Sequence, residues 1–497
     1  MENDTSATAE RVCIIGAGVS GLATAKVFLE DGFDVQIFEK QSDLGGTWHP
    51  DRTYPGLRTN DVGDIYRFPD LPYPESADEY PTAEQVRDYM NDYADRFDLR
   101  PHMRFNTEVR SVERADEKTD DSIRGFRVTT ARGGQPEKVR NYDYVVVCNG
   151  VFSDPHVPHF EGEDRFDGRI LHSNEVRSRD RLQGQRVVVI GGGKSAYDIA
   201  EAAGRHASES TLVFRSAHWL VPRYLMGLRA DWLVLTRFAQ AFLPYHTKKG
   251  LSARLHSTGK PLIDLYWRFM TWFLKRIIDI PDGLEPQVSL PIGFQDIGSG
   301  IELYDLVRSG QVSSKRAEID CFIDGETIRL NTGESIAADL VVCATGWDQT
   351  IDFLSPGLRD AVRDDDGFFT LYRHILPPEE RRLGFIGYAT SIGTSLSSEV
   401  AANWLATHFR EQMKLPEDDQ MYKEIDKVKK WAARYLPRES SGHAVAGYLI
   451  DYLDQLLRDM DLSVHRADNW FTEYFGRIHA DRFEGLGEAR RSRAQAS

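Results

Sequence analysis

The chain has 497 residues, 41% of them hydrophobic and 28% charged, and at roughly 150 residues per domain that length predicts two or three packed domains. Sixty-one Lys plus Arg against 77 Asp plus Glu leave a formal charge of -16, which argues against nucleic acid as the main partner, because phosphate binding needs a basic face. Forty Gly, 21 Pro and a mean hydropathy of -0.45 fit neither a disordered chain nor a multi-span membrane protein.

The opening MENDTSATAER lacks a basic region followed by an apolar core, and no apolar run reaches the roughly 18 to 20 residues needed to span a bilayer, so a cytoplasmic location is expected. Residues 11 to 40 then read as strand (RVCII), Gly turn (GAGVSG), helix and second strand (DVQIFE), a complete βαβ opening. PTAEQVRDYMNDYADRFDL predicts a polar-faced helix, and FNTEVRSVER with GFRVTTARG predicts a small antiparallel excursion leading to NYDYVVVCNG. VFSDPHVPHF, with two Pro, reads as a linker.

At 185 to 215 the opening pattern returns as QRVVVI, GGGKSA, helical YDIAEAAGRHA and TLVFR. Two such units imply two nucleotides. The Trp-, Phe- and Leu-rich stretch 217 to 292, interrupted by Arg and Lys, reads as helices inserted into the second unit. Packed helices, a substrate-access lid and a weak membrane-surface contact all remain open for it. LVVCATGW ends a buried strand in a Gly turn, after which the chain rejoins the first domain, and from 398 onward it is mostly helical.

Gly16, Gly18 and Gly21 form G-x-G-x-x-G between strand and helix: a tight turn, room for a pyrophosphate and close helix packing. Glu39 ends the second strand, where a carboxylate accepts hydrogen bonds from ribose hydroxyls and repels a 2′-phosphate, so FAD or NAD fits better than NADP. In the second unit, Gly191, Gly193, Lys194, Ser195 and Ala196 make the turn, and Arg215 stands where the first unit has Glu39. A guanidinium there pairs with a 2′-phosphate and selects NADPH; the other reading of Arg215 is a solvated strand-end charge. Cys13, Cys148 and Cys343 read as small core residues, and with Cys321 they form no C-x-x-C pair. His156 and His159 share H-x-x-H spacing in a Pro-rich loop, and no metal site is expected.

Taken in order, these motifs resemble the flavin-containing monooxygenases, the class B flavoproteins that also include Baeyer-Villiger enzymes. GAGVSG with Glu39, LGGTW, YPGLRTND, FPDLPYP, FDGRILHS, GGGKSA, CATGW and the terminal RFEGLGEAR carry the resemblance across residues 11 to about 490. The insert and the carboxyl-terminal helices look most like the plant-type members. The resemblance implies that FAD is contacted by Gly16, Gly18, Val19, Ser20, Gly21, Glu39, Lys40, Gly46, Thr47, Trp48, Asn60, Asp61 and Val109, and that Thr345 and Gly346 belong to the cofactor-binding set. It also implies that NADPH reduces the flavin, which takes up O₂ at C4a, and that a soft nucleophile attacks the resulting hydroperoxide.

Two positions depart from the family pattern. The F-x-G-x-x-x-H fingerprint normally continues to an aromatic four residues after its His, and here Val176 stands there, so HSNEVR matches neither branch fully. His172 reads as a residue coupling domain geometry more readily than as a catalytic base. YPG-x-R is similar to Baeyer-Villiger enzymes, but those have Asp where this chain has Asn60, the residue of the N- and S-oxygenating branch. An Asn amide donates a hydrogen bond without bringing negative charge, which makes Asn60 the catalytic candidate, against its plainer reading as a turn former.

The expected fold is therefore α/β, with two dinucleotide-binding (Rossmann-like) domains: a discontinuous FAD-binding domain from 1–160 and 341–497, and an inserted NADPH-binding domain at 161–340. The expected activity is FAD- and NADPH-dependent transfer of one oxygen atom of O₂ to an amine nitrogen or sulfide sulfur of a small molecule. Baeyer-Villiger oxygenation of a ketone, an NADPH-dependent flavoprotein reductase and a nucleotide-sensing binding protein are the alternatives, and a homodimer is left open.

Overall fold

The computed structural model describes residues 9–115, 125–292, 298–436 and 441–496; residues 1–8, read above for a targeting segment, lie outside them. Two five-stranded parallel sheets organise the chain. In the first, Leu383–Phe385, Tyr144–Val147, Arg11–Ile15, Asp34–Phe38 and Met103–Arg104 lie side by side, with Ile15 opposite both Phe38 and Val147. Parallel strands are covered on both faces, which is why VCII and YVVV are continuous buried apolar runs rather than alternating ones. The helix Val19–Glu30 covers this sheet and packs on Thr394–Phe409 from the far end of the chain.

The antiparallel excursion forms as expected, from Thr107–Arg114, Phe126–Arg132 and Lys138–Tyr142. In the second sheet the order is Ser313–Arg316, Glu209–Phe214, Arg186–Ile190, Leu340–Cys343 and Arg169–His172. Leu340–Cys343 pairs with Arg186–Ile190 and Arg169–His172, so the boundary expected at 340 cuts a strand of this sheet, and the chain crosses back only beyond it. The two crossings pair with each other: Asp154–Pro155 runs antiparallel to Trp347–Asp348.

The 217–292 segment is helical only in its later part, at Arg237–Gln240, Gly250–Ser257 and Lys260–Ile277. Its start is a short hairpin, Tyr224–Leu225 against Leu228–Arg229, because Met226 and Gly227 both take positive φ at its tip. Among the described residues no helix is long and apolar enough to cross a membrane. Cys13, Cys148, Cys321 and Cys343 are all free and buried, and burial pushes the Cys148 and Cys343 thiols up to about 12.

A buried charge cluster ties the chain's two ends together. Lys26 donates to Glu399 at 3.0 Å, pairs with Asp70 and lies 3.6 Å from Glu30, while Tyr93 donates to Glu399 at 3.4 Å. Burial disfavours charge on Lys26, yet Glu399 and Asp70 outweigh it and raise its pKa; burial pushes Glu399 up to about 7 against the pull of Lys26. Removing one partner of a buried pair costs about 3–5 kcal/mol. Lys26→Met is therefore expected to lower unfolding free energy by about that amount near pH 8. The loss should be smaller near pH 6, where Glu399 is already mostly protonated. Denaturant titration at both pH values checks this.

Candidate functional site

Both glycine turns are built by the same steric demand. Gly16 has φ +106°, and a Cβ there would stand 2.6 Å from the Cys148 carbonyl oxygen; Gly191 has φ +141° and presses likewise on the Ala344 carbonyl. Each turn is wedged against the end of a neighbouring parallel strand, so only glycine fits. A Cβ on Gly21 would collide with the Gly16 carbonyl, whereas the second unit tolerates Ala196.

A cleft of about 660 Å³ opens at the carboxyl ends of the first sheet's strands. That lies within the roughly 300–1,000 Å³ usual for cofactor clefts, at the edge where open α/β sheets bind ligands. Gly16, Gly18, Val19, Ser20, Glu39, Lys40, Gly46, Thr47, Trp48, Asn60, Asp61 and Val109 all line it. Gly18 and Gly46 approach so closely that a Cβ on Gly18 would lie 3.5 Å from the Gly46 Cα. The buried Glu39 carboxylate accepts the Ala17 amide at 2.8 Å with one oxygen and the Gln41 amide at 2.8 Å with the other. It thus fastens the Gly turn to the strand end, with lone pairs left for a further donor. Trp48 is held by its indole N–H, which donates to Tyr66 at 2.8 Å.

The cleft also contains residues not singled out by motif. Arg52 lies over the Trp347 ring at 4.6 Å and donates to the Phe152 carbonyl. Burial lowers its pKa, opposed by Glu39 and Asp154. Asn149 donates to the Thr350 carbonyl at 2.9 Å and accepts from Tyr388 at 2.8 Å. Its place at the end of a third parallel strand, in VVVCNG, was a usable signal; Arg52 sits in an irregular loop and had none.

A second cavity, about 340 Å³, flanks the helix Lys194–His206. Arg58, Arg179, Lys194, Arg205 and Arg223 line it against Asp198, Glu201 and Glu302, a basic island in an acidic protein. Gly191, Gly193, Ser195 and Ala196 form the turn at the helix start, and Lys194 pairs with Asp198, which also accepts from Tyr54 at 3.0 Å. Arg215 is 82% exposed at its strand end, 3.8 Å from Glu318, with its guanidinium open to solvent.

Thr345 and Gly346 lie outside the cleft lining and hold the crossing instead. Thr345 donates to the His156 carbonyl, and the Gly346 carbonyl accepts the His156 amide at 3.1 Å and His172 Nε2 at 3.0 Å. His172 is buried, edge-on to Trp347 with ring centroids 4.9 Å apart, a geometry suited to the coupling role. Val176, in place of the family's aromatic, is wholly buried. His156 and His159 each meet a carboxylate, Asp348 at 3.0 Å and Glu163 at 2.7 Å.

A third cavity, about 100 Å³, is walled by Val234, Leu235, Tyr266, Trp267, Met270 and Leu274 from the inserted segment. Asn60 and Asp61 line both this apolar pocket and the large cleft. Asp61 is pushed up to about 6: burial raises it, the Gly393 amide at 3.3 Å lowers it, and the Asp231 charge raises it again.

A sequence model of the flavin-binding monooxygenase-like family matches residues 9–260 and 295–465. The probable flavin-containing monooxygenase 1 of Arabidopsis thaliana is 28% identical, covering 94% of this chain and 95% of its own. Among solved structures, the S-allyl-L-cysteine S-oxygenase of Allium sativum superposes with a TM-score of 0.63 at 20% identity, over 98% of this chain and 92% of that one. A closed cyclohexanone monooxygenase gives 0.66 at 19%, over 91% and 97%. The fold is thus shared by an S-oxygenase and a cyclohexanone monooxygenase.

Replacing Glu39 with Ala orphans the buried Ala17 amide and the part-buried Gln41 amide, at a cost of about 1–3 kcal/mol for the buried one. Glu39→Ala should lower the thermal midpoint and the flavin retained per chain, and Glu39→Gln, which keeps one acceptor oxygen, should lose about half as much. Thermal denaturation and flavin absorbance read both.

Proposed function

The chain belongs to the flavin-binding monooxygenase-like family, and on that premise we propose that Asn60 sits where oxygen passes from the cofactor to an amine or sulfide held in the apolar pocket. The protein is an FAD- and NADPH-dependent monooxygenase acting on a small molecule and O₂. One observation carries the assignment of Asn60: with Asp61, it lines both the 660 Å³ cleft and the apolar pocket. A substrate seated in the pocket thereby presents its reacting atom to the cleft across an amide.

The residues present fit the cofactors. The facing Gly18 and Gly46 leave a floor without side chains for a pyrophosphate at the start of the helix Val19–Glu30, whose amides favour anions. Glu39 has acceptor capacity left for ribose hydroxyls, and Lys40, Ser20, Thr47, Trp48 and Val109 line the remaining wall. On the second sheet, the turn from Gly191 to Ala196 with Lys194 and the solvent-facing Arg215 supports binding of NADPH, with Arg215 toward the 2′-phosphate. Bound FAD would supply hydride acceptance from NADPH and O₂ activation. Asn60 contributes an uncharged donor at the junction, and the apolar wall keeps bulk water from the reacting atoms.

The exposed side of the helix Lys260–Ile277 supports a contact with an anionic membrane surface. Leu262, Leu265, Phe269 and Trp272 recur at helical spacing and are each more than half exposed, beside exposed Arg268, Lys275 and Arg276. Apolar and aromatic groups flanked by cations suit the headgroup boundary.

NADPH oxidation that depends on O₂ and yields sulfoxide or N-oxide, with no ester or lactone from a ketone, tests the reading against the Baeyer-Villiger alternative. Asn60→Ala should keep NADPH oxidation but divert it to hydrogen peroxide, with product formation down about 100-fold. Arg215→Ala should raise KM for NADPH about tenfold or more and leave NADH unchanged. Trp272→Glu should abolish sedimentation with vesicles containing anionic lipid; concentration-dependent dimerisation lost in the same variant would assign the face to a second copy instead.

A further inference from the structure

Beside Asn60, the same junction holds a carboxylate that oxygen transfer by itself does not need. Asp61 reaches both the cleft and the apolar pocket, and its Oδ2 takes one long bond, 3.3 Å, from the Gly393 amide at the start of the helix Thr394–Phe409. The groups that set its charge are that amide and Asp231, with no cation among them. Arg223 and Asp231 also line the pocket: Arg223 donates to Glu302 at 2.9 Å, and Asp231 accepts from Arg229 and Arg477 at 2.7 and 2.6 Å. Tyr66 and Tyr80 face the same region, and burial raises the pKa of both, so both stay neutral. An apolar, aromatic-walled pocket whose mouth carries a carboxylate with no ion-pair partner among the described residues favours a lipophilic ammonium over a neutral sulfide.

An ammonium has no lone pair and cannot accept oxygen until it loses a proton. We propose that, for an amine substrate, Asp61 is the base that takes this proton; the proposal rests on the oxygen-transfer reading above. In this step the substrate N–H bond breaks, its electron pair stays on nitrogen, and an O–H bond forms on the Asp61 carboxylate. Nothing is oxidised or reduced. After product leaves, the proton passes from Asp61 to water in the cleft. The energetics run in the needed direction. A carboxyl lifted to about 6 is charged at neutral pH yet a better base than an exposed one, and an apolar pocket favours the neutral acid and amine over the ion pair.

The test uses holoenzyme and two isosteric substrates, N,N-dimethylbenzylamine and benzyl methyl sulfide, with N-oxide and sulfoxide quantified. Dividing amine kcat/KM by sulfide kcat/KM cancels the cofactor steps. In the wild type this ratio should fall below about pH 6, as Asp61 protonates, and be level from about pH 7 to 9. A tenfold rise per pH unit across that range, tracking free amine, would overturn the proposal without any variant. Asp61→Asn should lower the amine-to-sulfide ratio of kcat/KM about 100-fold near pH 7, with the ratio recovering toward higher pH, both rates taken per bound flavin. Equal losses on both substrates, or no loss on the amine, would overturn it. Wild type that oxidises sulfide but not amine defeats the proposal alone; wild type that oxidises neither defeats the oxygenation reading beneath it.

Discussion

The antiparallel pairing of Asp154–Pro155 with Trp347–Asp348 is the constraint on which the arrangement of cavities depends. The chain leaves the first sheet after Val147 and turns back toward it after Cys343, and the short ribbon makes these two passages one joint. Around it, the Gly346 carbonyl collects the His156 amide and His172 Nε2, Asn149 reaches Thr350, and Arg52 lies on Trp347. So short a ribbon has little strength alone. Part-buried hydrogen bonds on both flanks fix its register, and with it the approach of the second Gly turn, through Lys194, to the large cleft.

Seen from this joint, the departures from the family fingerprint make physical sense. His172 is spent on the Gly346 carbonyl, the Asn174 side chain and the Trp347 ring, so it couples the sheets and has no free nitrogen aimed at the cleft. Four residues on, Val176 is wholly buried in the core. Tyr54 and Asp198 add a second tie, from the YPG loop to the helix of the second Gly turn. The same loop continues to Asn60 and Asp61, so its position relative to the second domain bears directly on the junction of the cavities.

The helix Lys260–Ile277 works on two sides. Trp267, Met270 and Leu274 wall the apolar pocket, while Leu262, Leu265, Phe269 and Trp272 face outward. A helix apolar on opposite stripes explains why the segment, read as sequence, left packed helix, lid and membrane contact all open: hydrophobic periodicity reports that a face is apolar, not what covers it.

Much of the fold was legible because local sterics dictate it. Gly16 and Gly191 must be glycine where a strand turns into a helix against a neighbouring carbonyl, and strands covered on both faces are rich in apolar residues, so both βαβ units could be read from residues in sequence. Gly18 and Glu39 were legible as cleft-lining positions for the same reason, since each sits at a fixed offset from such a turn, whereas Trp48 and Asn60 were implied only by the family resemblance. Other features depend on partners distant in sequence. Thr345 and Gly346 hold the crossing rather than lining the cleft, Leu340–Cys343 belongs to the second sheet, and Arg52 enters the site from an irregular loop. The meeting of Asp61 with Asp231 and Gly393 likewise joins a loop, an insert and a distant helix. Sequence alone determined which cofactor-binding units form, because their chemistry is written within some thirty contiguous residues; tertiary structure alone decided where they converge, because burial and electrostatic environment are set by whatever the rest of the chain packs against them.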